Sequence, residues 1–269
     1  MRVWIDGTEN ATLALYDRGM QYGDGVFETM RLQHGTIHMW EAHLSRLQSG
    51  CQRLNIKLDT EVLRAQMQAI TAQLDTGVLK LMVTRGAGGR GYRTDPDTSP
   101  TLGWLYTESP DYPSRYYTEG VDVCLCKTLV SRQPLLAGIK HLNRLENVMA
   151  RQEWQDEFQE GLMCDESGNI IEGTMTNFFA VKGDILMTPS LSHSGVHGIM
   201  RQRLLDIAPQ FGFKVAIRDI AVGDIQTVDN VLLSNSLIGV WPVRRIADMH
   251  YSPSERLRQL VAQLRICQN

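Results

Sequence analysis

Hydrophobic residues follow two rhythms along this chain. Short alternating or continuous runs predict strands, and stripes spaced three and four residues apart predict helices. Val3, Trp4 and Ile5 read as a first strand, closed by a turn at Asp6-Gly7. Residues 26–32 and 36–39 read as a hairpin around His34-Gly35. A helix is expected over residues 40–54, where Leu44, Leu47, Cys51 and Leu54 form one stripe. A second is expected over residues 60–74, with Thr60 as its N-cap. Residues 78–84 and 102–107 read as strands around a glycine-rich loop that starts at Arg85.

The pattern then breaks. Residues 109–119 hold Pro110, Pro113 and the adjacent Tyr116 and Tyr117, a composition suited to an interdomain linker. The chain therefore divides into a small N-terminal α/β domain, residues 1–108, and a larger C-terminal domain, residues 120–269, that carries Lys140. In the second part a strand is expected over 121–129 and a helix over 143–158. A β-meander follows with strands at 161–164, 170–181 and 185–188. A helix from Gly198 to Leu205, two more strands and a helix over 253–265 complete the reading. No internal repeat or low-complexity segment is present.

Composition narrows the class. The 269 residues are 43% hydrophobic and carry a net charge of −3, with no long run of one sign. That argues against nucleic acid and against a membrane surface as partners. No apolar run approaches transmembrane length, and Asp6, Glu9 and Asp17 interrupt the N-terminus too early for a signal peptide. The five cysteines are odd in number and fit no zinc spacing. Cys124 and Cys126 would face the same side of one strand and read as buried free thiols. The expectation is a reduced, cytoplasmic protein with no metal.

Four features carry candidate chemistry. Lys140 is one of only six lysines and lies between Leu135, Leu136 and Ile139 on one side and His141 and Arg144 on the other. Burial and cationic neighbours favour an unprotonated amine able to form a Schiff base; an ordinary surface lysine is the alternative. Glu172 stands in an apolar strand and needs a cationic partner, either a protonated pyridine nitrogen or an arginine. Gly195-Val196-His197-Gly198 opens a helix, where exposed backbone N–H groups and the helix dipole suit an anion. Ser234-Asn235-Ser236 and Arg46 are possible additions to that anion site. The loop from Arg85 to Arg93 suits a carboxylate clamp or a solvated basic loop. It is neither a dinucleotide fingerprint nor a P-loop, because the required glycine spacing and the lysine-serine ending are absent.

In combination these segments resemble the fold-type IV family of pyridoxal-phosphate (PLP) enzymes. The residues concerned are Gln21 to Glu28, His43-Leu44-Ser45-Arg46-Leu47, Glu172-Gly173 through Asn177-Phe178, and Gly198-Ile199-Met200-Arg201. The family holds branched-chain aminotransferases, D-amino-acid transaminases and 4-amino-4-deoxychorismate lyases. Thr84 to Tyr92 and Leu136 to Val148 are most similar to the lyase members. Glu28 stands where some lyases have threonine and transaminases of the family also carry an acid, so it does not separate the two, and Glu172-Gly173 is closer to the transaminase form than to some lyases.

The resemblance implies a two-domain α/β and α+β fold whose C-terminal domain holds a barrel-like sheet. It implies PLP on Lys140, with Glu172 at the pyridine nitrogen. Arg46, Ile199, Met200, Ser236 and Leu237 would hold the phosphate, and Asn143 would orient the ring hydroxyl. Arg90, Tyr92 and Phe27 would contact substrate, and Thr29 would sit near the reacting carbon. The implied reaction converts 4-amino-4-deoxychorismate to 4-aminobenzoate and pyruvate through a PLP external aldimine, a step of folate biosynthesis. A homodimer is implied, because the glycine loop reaches the partner's site. A D-amino-acid or branched-chain transaminase is the nearest rival, and a non-catalytic phosphate-binding protein a distant one.

Overall fold

A computed structural model describes residues 1–264. The contacts divide the chain into two units, Met1–Pro110 with Ile139–Asn143, and Asp111–Gly138 with the rest from Arg144.

The first unit is built on a six-stranded antiparallel sheet. Its strands are β1 (Arg2–Ile5), β2 (Thr8–Glu9), β3 (Gly25–Gln33), β4 (Thr36–Ile37), β5 (Gly77–Thr84) and β6 (Thr101–Thr107), in the order β2-β1-β6-β5-β3-β4. Three helices accompany it: α1 (Arg18–Tyr22), α2 (Trp40–Arg53) and α3 (Thr60–Thr71). Alternation along β3 sends Val26, Glu28, Met30 and Leu32 to one face. There the apolar members of the set pack with Leu44, Leu47 and Cys51 of α2 and Leu63 and Ile70 of α3. The cap of α3 is Asp59, not Thr60: its carboxylate accepts from the Glu61 and Val62 amides. The five-residue α1 is too short to show a periodic stripe. Asp17 caps it by accepting from the Gly19 amide, and Thr84 and Thr101 hydroxyls satisfy the other oxygen of this buried carboxylate.

The lysine segment does not belong with the second unit as the sequence suggested. Ile139–Asn143 runs along the free edge of β3. The Phe27 amide donates to the Lys140 carbonyl and the Leu142 amide to the Gly25 carbonyl, each at 2.9–3.0 Å. Ile139 is buried in the helix-covered core.

The second unit is a closed barrel with an extension. Its strands are β7 (Val121–Leu125), β8 (Glu160–Cys164), β9 (Ile170–Gly173), β10 (Asn177–Lys182), β11 (Ile185–Thr188), β12 (Lys214–Ile217), β13 (Asn230–Asn235), β14 (Gly239–Ile246) and β15 (Met249–His250). The ring runs β10-β13-β14-β7-β8-β9 and returns to β10 through the single pair Asn177–Glu172. Phe178, Leu233 and Trp241 face one another across three strands and fill the interior with Val121, Val123 and Leu162. The expected linker is part of this unit from Asp111 onward. It forms α4 (Arg115–Thr118), and Tyr112, Tyr116 and Tyr117 all set ring edges against Trp241.

Three expected elements are shorter than their sequence pattern. The strand from Val121 ends at Leu125. The strand expected over 170–181 is two strands, broken at Thr174–Thr176. The helix expected over 143–158 is α5 (Leu145–Arg151) alone. Trp154 leaves the helical path to bury itself with Cys126, Ala150 and Met163, and its indole N–H donates to the Phe158 carbonyl. Tertiary burial outweighs local propensity there. Helices α6 (Ile199–Ile207) and α7 (Glu255–Gln263) complete the unit, with Ser254 capping α7. Arg265, the expected end of the last helix, and Cys267 lie outside the described residues. Among the described residues the four other cysteines are free, no metal-ligating cluster occurs, and no helix is long and apolar enough to cross a membrane.

Candidate functional site

In the first unit the backbone pairing just described fixes Lys140. Its ammonium nitrogen lies 4.3 Å from the centre of the Phe27 ring. A second lysine reaches the same ring: Lys80 Nζ of β5 is 4.8 Å from it. Thr29 is the cross-strand partner of Lys80. Phe27, Thr29 and Lys80 thus project from the sheet face opposite α2. Burial pushes the Lys80 ammonium below the ordinary lysine pKa. Sequence reasoning missed Lys80, although the signal was there: a lysine between Leu79 and Leu81 inside an apolar strand must either reach a wet face or serve one.

Glu28 points the other way, into the helix-covered core. Its carboxylate takes a 2.6 Å bond from His43 Nδ1 and two from the Arg46 guanidinium, at 2.8 and 2.5 Å. Glu28 and His43 are each 1% exposed, and Arg46 13%. Burial opposes the Glu28 charge, but the adjacent Arg46 charge and the bonds from Arg46 and His43 outweigh it, so its carboxyl stays below the usual range. His43 is driven down chiefly by burial. The candidate phosphate arginine is therefore held by a buried carboxylate.

The glycine loop is tied down at its base. Arg85 makes a bidentate pair with Asp24 and donates to the Leu54 and Asn55 carbonyls. It is a structural arginine, not part of a clamp. Arg18 bridges Asp24 to the Gly91 and Tyr92 carbonyls, and the Tyr92 ring sets an edge on Tyr22 at 5.4 Å. Arg90 and Tyr92 themselves are exposed. Asn143 donates to the Gly23 carbonyl at 3.2 Å, a bond that anchors the lysine segment and takes up a donor expected for a ring hydroxyl.

In the second unit the barrel closure gathers the other candidates. Glu172, Asn177 and Ser234 are successive cross-strand partners and share the face opposite the interior core. Glu172 Oε2 accepts from the Val196 amide at 2.9 Å, and Asn177 Nδ2 donates to the Val196 carbonyl at 2.9 Å. The loop from Gly195 to Gly198 is thereby pinned on the seam. On its other side Gly195 and His197 exchange backbone bonds with Gly138. Gly138 has φ +81° and packs against the His197 ring where a Cβ would stand, so both conformation and space require glycine.

Helix α6 starts at Gly198 with no side-chain cap and no acid in its first turn, which leaves the Ile199 and Met200 amides for an anion. The Ser234 hydroxyl is fully buried and has no hydrogen-bond partner. Ser236 follows two residues later. The Leu237 amide donates to Asn235 Oδ1 at 2.9 Å, as does the Ile238 amide. The side chain that closes this turn takes up the donor expected for phosphate. Arg201, also missed in the sequence, is buried and donates to Thr188 and Pro189, which fixes α6 on β11.

The profile of the amino-transferase class IV family matches residues 25–246. The chain is 34% identical to an aminodeoxychorismate lyase of Vibrio harveyi over 91% of each chain. It is 27% identical to a D-alanine aminotransferase of Listeria monocytogenes over 92% of this chain and 87% of the other. The crystal structure of 4-amino-4-deoxychorismate lyase from Pseudomonas aeruginosa superposes with a TM-score of 0.94, at 44% identity and 97% coverage of both chains. With a family profile spanning most of its length and a relative 34% identical over 91% of each chain, this chain belongs to the amino-transferase class IV family.

Proposed function

We propose that this protein is a PLP-dependent lyase that converts 4-amino-4-deoxychorismate to 4-aminobenzoate and pyruvate. The observation that carries the choice within the family is the similarity to two lyases, at 44% and 34% identity along nearly the whole chain. The residues present fit the cofactor. The open start of α6 suits its phosphate, the unpartnered Ser234 hydroxyl beside Asn177 offers a further polar contact, and Glu172 suits a protonated pyridine nitrogen. Ile199, Met200, Ser236 and Arg46 are the proposed phosphate ligands.

Bound PLP supplies an electron sink for the charge that develops when a C–H bond next to the substrate nitrogen breaks. The protein's own part is to hold and to move protons. Lys140 would hold the cofactor, and its Nζ would take the ring proton and give one to the departing enolpyruvyl methylene. The Phe27 ring limits water around that nitrogen. Thr29 and Lys80 line the same sheet face; Lys80 offers a cation for one of the two substrate carboxylates. Loss of pyruvate leaves an aromatic ring, so the step is downhill and positioning does most of the work.

A transaminase needs a keto-acid acceptor and stalls after a single turnover without one. The lyase does not. With excess aminodeoxychorismate and no keto acid, the purified enzyme is expected to pass many turnovers per site; arrest after one would favour the transaminase reading.

The same reading makes the protein a cytoplasmic homodimer. Leu145, Val148 and Met149 form an exposed apolar row on α5, 71%, 49% and 51% exposed, and Met175 is 49% exposed. Such a row suits a covered surface. A partner would also give the exposed Arg90 and Tyr92 a substrate to bind. Light scattering at micromolar protein should give twice the chain mass; a monomer would contradict this.

A further inference from the structure

Glu160 is the most deeply buried acid of the second unit, with no exposed surface, and the chemistry above does not use it. No cation faces it. Five donors do. Oε1 accepts from the Gly161 amide at 2.9 Å, the Thr174 amide at 3.1 Å and the Thr174 hydroxyl at 2.5 Å. Oε2 accepts from the Met175 amide at 3.1 Å and the Thr176 hydroxyl at 2.9 Å. Burial raises the pKa of this carboxyl against the pull of these bonds.

Four of the five donors belong to Thr174–Thr176, the turn that breaks one expected strand into β9 and β10. Asn147 and Asn235 hold the Thr174 and Met175 carbonyls of the same turn, at 3.0 and 3.2 Å. Gly173 sits so close that a Cβ there would meet both Glu160 and Thr176. The turn connects Glu172 to Asn177, the one pair that closes the barrel. A buried acid without a cation is costly unless its acceptors are filled. Here they are filled by the backbone that sets the register of Glu172.

We propose that Glu160 is a positioning residue for the cofactor site: by organising the Thr174–Thr176 turn it fixes Glu172 against Val196 and Asn177. This rests on the PLP reading of Glu172. A glutamine at position 160 keeps the volume, but whichever way it turns its N–H₂ meets a backbone amide that can only donate, Gly161 and Thr174 on one side or Met175 on the other, so the turn must shift. Loss of a charge-assisted bond of this kind corresponds to about 10–100-fold in affinity.

The test compares Glu160→Gln with Val231→Ala, a barrel-interior substitution on β13, opposite Ala180 and away from the turn. Two properties are read on each. One is amide hydrogen exchange in the PLP-free protein, at the Val196 amide that Glu172 holds. The other is PLP affinity, by titration of the PLP-free protein followed through tryptophan fluorescence. Glu160→Gln is expected to speed Val196 exchange and weaken PLP binding at least about tenfold, whereas Val231→Ala lowers the melting temperature and leaves both near wild type. Unchanged Val196 exchange in Glu160→Gln overturns the proposal, as does an equal effect of Val231→Ala. Exchange decides the matter without PLP. If the wild type binds no PLP, the functional reading fails while the positioning role still stands or falls on Val196.

Discussion

Lys140→Ala is expected to lower kcat by at least about 10³-fold, because one substitution removes both the cofactor's anchor and the proton carrier. The fold should survive. The segment is held by the Lys140 carbonyl and the Leu142 amide, which the substitution leaves in place, and by Ile139 in the core. Circular dichroism and melting temperature should therefore stay close to wild type while visible cofactor absorbance is lost. Lys80 makes the test sharper, since its ammonium approaches the same Phe27 ring. In Lys80→Ala the cofactor absorbance should remain and the Michaelis constant should rise. The reverse pattern, with absorbance lost in Lys80→Ala and kept in Lys140→Ala, would assign the anchor to the wrong lysine here.

Glu28→Ala is expected to destabilise the protein by about 3–5 kcal/mol, the cost of leaving a largely buried guanidinium without its carboxylate. Arg46 and His43 both lose their buried partner. Glu28→Gln should cost less, since an amide oxygen still accepts one bond. The same cluster predicts sensitivity to acid. The Glu28 carboxyl is held below its usual 4.5, so its contribution is complete above that value and is lost as pH falls through the lower, folded one. His43 is held below its usual 6.5, so below that pH the unfolded chain takes up a proton that the folded chain resists. Both groups make stability fall with acidification, His43 first. Melts between pH 7 and 4 should show this slope in wild type and a shallower one in His43→Gln, which removes the group that titrates first. Equal slopes would show that the cluster does not control acid stability.

How much of this was legible depended on whether the deciding interaction was local. The stripe Leu44, Leu47, Cys51 is local, and α2 follows it within a residue of its expected end. The lysine, the buried glutamate and the glycine-opened helix could be read because each requires an unusual residue at one place. What could not be read came from partners far apart in sequence. The strand through Ile170 is broken by Glu160, ten residues earlier, whose carboxylate draws in the Thr174–Thr176 turn. The expected helix past Arg151 is ended by the burial of Trp154. The lysine segment was assigned with its sequence neighbours, yet hydrogen bonds to β3, more than a hundred residues upstream, place Ile139–Asn143 in the first unit. The bond from the Leu237 amide to Asn235, only two residues before it, is by contrast a local turn that the hydrophobic pattern does not report.

The central claim is the reaction itself. Purified protein with PLP and aminodeoxychorismate would be followed for 4-aminobenzoate by fluorescence and for pyruvate by a coupled assay in the same sample. The account predicts the two products in equal amounts throughout the time course, with neither formed by Lys140→Ala. Cofactor absorbance accompanied by no 4-aminobenzoate, and by keto-acid-dependent consumption of D-alanine or a branched-chain amino acid, would contradict it.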